Sequence, residues 1–467
     1  MTGVEQAVPG RADDPEQRSR RREQKAWNWY DWANSAYFTT IGTVLFGPWM
    51  IHVARQAAPD CRTPGCVQTV DVLGLHLAAG SLPGYLTGFA TVIGAFALPI
   101  VGAFVDRSPH KKRHMAAYAW VGSLFAASLF FLDHGRWQLG AVAIVMSNIL
   151  VGCSLVAYNA ILVDISTEDE RDRTSSRGWA WGYLGGGLLL AINLAVVTLH
   201  TRLGLSEGFA VRVSMLSAAA WWSAFTLIPF LRLRNHPTRN LVDTEGGLFE
   251  RSFGQLFTTL RELRGYPMTL TFLIAYLFYN DGIQTVITSA SVYGAEQLKL
   301  SQQVLIAAIL MIQFVAFGGA LLFGRLAGAY GAYRSILAGT FAWMLLIVAA
   351  YFLPVGRVVP FLVLGIGVAI VLGGTQALSR SFFSLLIPRG REGEYFSLYQ
   401  ACERGTSWLG AVLFAVMFQL TGSYRPAIIA LISFFVIGAV FLLRLDPVRG
   451  IREAGNQTPN DRAERPV

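Results

Sequence analysis

Apolar residues along this chain gather in long runs, broken by charged residues, proline and glycine clusters. A membrane helix takes about 20 mostly apolar residues, and twelve runs reach that length. They fall at about 30–54, 83–105, 114–132, 138–163, 178–200, 212–231, 268–292, 303–324, 335–354, 359–386, 397–420 and 426–443. The pattern predicts an all-α membrane protein with twelve transmembrane helices. Residues 27–231 hold six runs and residues 268–443 hold six more. The polar ends, 1–26 and 444–467, are expected to be disordered tails. No cleavable signal peptide is expected, because no short apolar stretch follows the arginine-rich start. In the central loop, 232–267, Phe253, Leu256, Phe257, Leu260 and Leu263 recur at helical spacing. Around 249–263 this reads either as an amphipathic helix lying on the membrane or as a solvated linker.

Composition agrees. Of 467 residues 53% are hydrophobic and only 14% charged, against about 25% charged in a soluble protein. The net charge of +9 would raise the question of nucleic acid, but its placement answers it. With both termini on one side, 28 of the 38 Lys and Arg residues fall on that side and 8 on the other. The positive-inside rule then puts both termini in the cytoplasm, with the basic excess facing anionic lipid and no nucleic-acid partner.

The loop after the second run reads Gly102-Ala-Phe-Val-Asp106-Arg107-Ser-Pro-His-Lys-Lys-Arg113. The loop after the eighth reads Gly324-Arg325-Leu-Ala-Gly328 and continues to Gly331 and Arg334. A small residue lets two helices pack closely, and an acid is favoured at a helix N-terminus. The first loop resembles the signature loop of the major facilitator superfamily; the second is a degenerate copy. The resemblance implies two pseudo-symmetric six-helix halves. It also implies a gating role for Gly102, Asp106, Arg107, Arg113, Gly324 and Arg325. Asp106 would meet the N-terminus of the eleventh helix and latch the cytoplasmic gate. Gly328 lacks a carboxylate, so one latch is expected. The alternative for Asp106 is a solvated loop acid.

A closer resemblance rests on Trp27-Asn-Trp-Tyr-Asp31-Trp-Ala-Asn34-Ser-Ala-Tyr37, on Tyr158-Asn159-Ala160 with Asp164, and on Arg177-Gly178-Trp179-Ala180. Tyr279-Asn280-Asp281-Gly282-Ile283-Gln284-Thr285 and Ser379-Arg380-Ser381 through Tyr399 extend it. These stretches are similar to the vacuole-effluxer-like branch of the superfamily, whose fungal members are autophagy-related amino-acid effluxers. Arg404 stands where the branch usually has Lys, and Ala411 where Pro is common. The resemblance implies a secondary transporter of a small solute, an amino acid or similar zwitterion. Efflux, proton coupling, a monomer and a bacterial inner membrane are expected. Export of hydrophobic or cationic compounds, or a non-transporting sensor or scaffold, are the rival readings. No enzyme, metal or cofactor is expected: no nucleotide loop and no ligand-spaced histidines occur.

Ionisable groups inside membrane helices are costly and are candidates for function. Asp281 lies about 20 Å into the seventh run, near the midplane, with Asn280 and Gln284 beside it. It reads as a coupling or ammonium-binding carboxylate, or as a permanently paired structural one. Asp31, with Asn34 and Tyr37, reads as a site residue or as a helix-terminal acid among interfacial tryptophans. Glu403 and Arg404 belong to a substrate site or to a gate network. Arg404 could take a substrate carboxylate or pair with Asp281, Asp31 or Asp106. Asn159 and Gln376 are buried amides, ligands or helix-to-helix hydrogen bonds. Cys61 and Cys66 frame Arg-Thr-Pro-Gly in the long extracytoplasmic loop after the first run, where a short disulfide is expected.

Overall fold

The computed structural model describes residues 15–58, 68–72, 74–237, 261–405 and 407–457. α1 (Pro15–Ala36) runs through a π-helical stretch (Tyr37–Leu45) into α2 (Phe46–Ala57). An antiparallel hairpin follows, β1 (Thr69–Val72) with β2 (Leu75–Ala78), a small departure from a purely helical chain. Then come α3 (Leu82–Asp106), α4 (Lys111–Ser128), α5 (Trp137–Ile165), α6 (Glu168–Thr198) and α7 (Glu207–Arg232). After the central loop stand α8 (Pro267–Val292), α9 (Gln302–Tyr330), α10 (Ala332–Tyr351) and α11 (Val358–Leu385). The last elements are α12 (Glu392–Gly405), α13 (Ser407–Thr421), α14 (Tyr424–Ala430), α15 (Ile432–Arg444) and α16 (Pro447–Glu453).

Among the described residues, ten helical segments are long and apolar enough to cross a bilayer. Large apolar side chains such as Phe89, Phe96, Leu124, Leu345 and Val363 point outward and are exposed. Lipid, not water, is the solvent such a surface fits. The protein is a multi-pass membrane protein.

Buried apolar side chains form two large clusters. One draws on residues from Ala26 to Leu233. The other draws on residues from Leu263 to Ile451, with Val163. The two groups of helices meet where α3 packs on α12, and where α6 packs on α9 and α11. The turns α3–α4 and α11–α12 lie at one end of the bundle. They carry Arg107, Lys111, Lys112, Arg113, Arg389 and Arg391, so this is called the basic end below. α6 also presents Gly178, Gly182 and Gly186 to α1. A Cβ at Gly182 would stand 2.6 Å from Ser35 Oγ, and one at Gly186 3.1 Å from the Ser35 carbonyl. Small residues at every fourth position let these two backbones approach.

Several boundaries differ from the hydropathy reading. Residues 15–26 are helix, not tail: Gln24 donates to Ile165 O (3.1 Å) and Glu170 Oε2 (2.9 Å), and Arg20 pairs with Glu170. These polar side chains find fixed partners at the start of α6. α6 begins ten residues before the apolar run because Thr167 and Glu170 form a capping box, which satisfies free backbone N–H groups. The C-terminal segment is also held. Asp446 caps α16, and Asn456 donates to the Leu385 and Ile387 carbonyls at 2.8 and 2.9 Å. The twelfth run divides into α14 and α15, while α12 and α13 cover the eleventh on either side of Thr406, which lies outside the described residues. Most of the predicted helix at 249–263, and both Cys61 and Cys66, lie outside the described residues.

Candidate functional site

Three polar constellations stand in this apolar bundle. The first joins α1 to α11. Arg380 grips Asp31 with both terminal nitrogens, at 3.0 Å to Oδ2 and 3.4 Å to Oδ1. Both side chains are buried. Arg380 also donates through Nε to Ser175 Oγ (2.9 Å) and through Nη2 to Ser175 O (3.0 Å). Its guanidinium lies 4.8 Å from the ring of Trp27, 5.4 Å from Trp179 and 5.5 Å from Tyr158. Trp27 stacks on Tyr158 and donates to its carbonyl at 2.8 Å. Gly178 makes room: a Cβ there would collide with Asp31 Oδ2 and stand 3.1 Å from Arg380 Nη2. Arginine suits this place, since its planar fork matches a carboxylate and its face stacks on aromatic rings.

Two sequence expectations change here. Asp31 is not in the first turns of its helix, because α1 starts at Pro15. Trp27 is fully buried and is no interfacial anchor. The partner of Asp31 is Arg380, a residue absent from the sequence-derived candidates. Its signal was a lone arginine inside the tenth apolar run. It stands five residues from that helix's end.

The second constellation joins α8 to α12 and α13. Asn280 and Asp281 lie in the middle of α8 and serve opposite sides of it. Asn280 donates to Glu403 O near the end of α12 (3.1 Å). Asp281 Oδ2 accepts from Gly410 N in the first turn of α13 (3.0 Å). Gln376 donates to Asn280 Oδ1 (2.7 Å), and Gln400 to Glu403 Oε2 (2.7 Å). Asp281 Oδ1, Thr285 Oγ1, Gln376 Oε1 and Gln400 Oε1 are buried and have no hydrogen-bond partner among the described residues. A carboxylate with one bonded and one unused oxygen can take up a proton or a cation.

The third is at the basic end. Asp106, the last residue of α3, accepts from Gly393 N (2.6 Å) and Glu394 N (2.9 Å) in the first turn of α12. The carboxylate thus meets the positive end of a helix. Gly102 and Gly393 face each other so closely that a Cβ on Gly393 would stand 2.5 Å from Gly102 O. Nearby, Ser175 donates to Ala377 O (2.7 Å), Arg171 to Ser384 O (2.8 Å) and Arg389 to Glu168 (2.7 Å). Each of these bonds crosses between the two groups of helices. The side chain of Arg404 lies outside the described residues.

The other candidates are more dispersed. Tyr37 OH bonds Ser147 and Asn148 of α5, both at 2.9 Å. Asn34 spends its amide on Tyr30 O within α1. Asn159 is buried, with Oδ1 lacking a partner among the described residues. Gln284 is half-buried, and Arg107, Arg113 and Arg325 are exposed. Gly324 approaches Ser176 of α6, with a Cβ 2.7 Å from Ser176 Cβ, while Gly328 has no close neighbour.

Comparison with known proteins adds the family. The family model described as "Vacuole effluxer Atg22 like" matches residues 19–171 and 162–455. An MFS-type transporter of Bacillus subtilis, YxiO, is 31% identical over 423 residues, spanning 90% of this chain and 94% of its own. Autophagy-related protein 22-1 of Phaeosphaeria nodorum is 25% identical, over 82% of this chain and 79% of its own. Among solved structures, the human organic anion transporter MFSD10 aligns with a TM-score of 0.66 at 14% identity, covering 92% of this chain and all of that one. A bacterial homologue of the iron transporter ferroportin, in its outward-facing state, aligns with 0.65 at 14% identity, over 91% of this chain and 99% of its own. These two likenesses speak for the fold alone. With a family model covering nearly the whole described chain and that relative's identity behind it, this chain belongs to the vacuole effluxer Atg22-like family of major facilitator superfamily transporters.

Proposed function

We propose that this protein is a secondary transporter that exports an amino acid or similar small zwitterion by alternating access, coupled to protons. The observation that carries the reading is the closed basic end. There the two groups of helices are joined by a few specific polar contacts, headed by Asp106 on the α12 N-terminus. Such contacts can be exchanged as a unit, which is what a gate requires. The α1–α2 and α12–α13 segments complete twelve spans around a central axis, six on each side of the loop 232–267. The basic end is cytoplasmic, with both termini, in a bacterial inner membrane, following the asymmetry of 28 to 8 basic residues. The vacuole-effluxer family supports export, and its fungal relatives support an amino acid.

Asp281 is the coupling carboxylate of this scheme. Protonating it weakens its hold on Gly410 N and releases the first turn of α13 from α8. Proton uptake would thus loosen α13 from α8. The test is the full chain in liposomes, with a panel of amino acids and an imposed pH gradient. Gradient-driven flux of one or more amino acids is expected. Asp281→Asn is expected to lower that flux by about tenfold or more while leaving exchange without a gradient. Gradient-driven flux unchanged in Asp281→Asn would remove the coupling role. Absence of any amino-acid flux in the wild type would remove the substrate class.

A further inference from the structure

We propose that the Asp31–Arg380 pair is where the two charges of the substrate are recognised: a substrate carboxylate takes the place of Asp31 on Arg380, and a substrate ammonium takes the place of Arg380 on Asp31. The inference rests on the reading that the cargo is a zwitterion. It gives that cargo specific residues at the basic end, apart from Asp281.

The pair bridges α1 and α11, which belong to different helix groups. Opening the basic end between these groups must part it. The two side chains are only 9% and 4% exposed. Parting them with nothing in between would leave two bare charges in a low-dielectric interior, each without water or a partner. A ligand with one charge could repair only half of that loss. A zwitterion is the smallest neutral ligand that repairs both. The gate would therefore open readily only with such a ligand inserted.

The geometry assigns the two roles unequally. Arg380 is anchored independently of Asp31, by Ser175 Oγ and Ser175 O at 2.9 and 3.0 Å. It is also boxed by Trp27, Trp179 and Tyr158. The fork that holds Asp31 in two-pronged fashion would accept a substrate carboxylate in the same way. The three rings would also welcome an ammonium drawn toward Asp31. Gly178 of α6 lies so close to the pair that a Cβ there would collide with Asp31 Oδ2, so α6 bounds the space around the ions together with α1 and α11.

The experiment uses the full chain in liposomes and counterflow of whichever amino acid of the panel is transported. Competitors are its decarboxylated amine, which lacks the carboxylate, and its N-acetyl form, which lacks the ammonium. Wild-type exchange is expected to resist both, with apparent affinities about tenfold or more below that of the zwitterion. In Arg380→Gln the amine is expected to gain relative to the zwitterion, and in Asp31→Asn the N-acetyl form. Each single variant leaves a lone buried charge. The double variant Asp31→Asn/Arg380→Gln leaves none and is expected to lose discrimination among the three compounds. Wild-type discrimination retained in the double variant overturns the inference while leaving amino-acid transport intact. Competition by either derivative as strong as that of the zwitterion in the wild type overturns it without any variant. A wild type that exchanges no amino acid overturns the parent reading and this one with it.

Discussion

A methyl group at position 393 would stand 2.5 Å from the Gly102 carbonyl and 2.9 Å from Asp106 Oδ1. Gly393→Ala is therefore expected to force α3 and α12 apart, at about 1–3 kcal/mol for overpacking, read as a lower Tm of the solubilised protein. An unchanged Tm would contradict the close approach. A second residue-scale effect lies outside the membrane. Glu23 accepts from Arg234 N (2.8 Å) and pairs with His236 (3.2 Å). That bond pushes the His236 imidazole above its ordinary value, against burial and the nearby Lys111 charge. Burial works to raise Glu23, but its bonds to His236 and Arg234 together hold it below the usual carboxylate range. A raised histidine pKa means stability present at low pH and lost as pH climbs through the raised value. The Tm difference between wild type and His236→Ala is expected to be largest between about pH 5 and 6 and to vanish at alkaline pH. A difference independent of pH would mean the contact is not ionic. Residues of this kind were unevenly legible. Asp106 and Asp281 stood out because a motif or an apolar run framed them. Arg380 did not, because an arginine near a run's edge looks like an interfacial charge until its partners are known.

Helix α6 shows what hydropathy omits. Its first ten residues, Glu168–Arg177, are polar, and the apolar run begins only at 178. The start is set by Thr167 and Glu170, a capping box written plainly in the sequence but invisible to a search for apolar runs. Thr167→Ala is expected to cost about 1 kcal/mol, measured as a lower unfolding midpoint, and to loosen Gln24 and Arg20 from Glu170. No loss of stability would mean the cap is redundant. The contacts of α8 are the opposite case. Asn280 and Asp281 stand inside one apolar run, and their partners, Glu403 O and Gly410 N, are more than 120 residues away in sequence. Local pattern cannot anticipate a hydrogen bond made to a distant helix.

At the scale of the molecule, the proposed gate rests on polar contacts at the basic end, between helix groups that also pack together through α3, α6, α9, α11 and α12. Asp106→Asn removes the charge facing the α12 N-terminus, an interaction on the order of 1 kcal/mol. That is enough to shift a balanced two-state equilibrium several-fold. Spin labels at the exposed positions 113 and 325, one in each helix group, are expected to report a larger long-distance population in Asp106→Asn than in wild type. Identical distance distributions would show that this contact does not hold the basic end shut.

The amino-acid sequence by itself determined that the chain lives in a bilayer, where its apolar helices fall and which of its loops are basic. Those properties follow from local runs of residue types, because lipid acts on each segment separately. Its signature loop and entry motif also pointed to the transporter family. Only the tertiary structure decided which charge meets which: Arg380 on Asp31, Asp281 on Gly410, and Asp106 on Gly393 and Glu394. A buried charge is stable only beside a specific partner, and these partners are brought together by the packing of helices far apart in the chain.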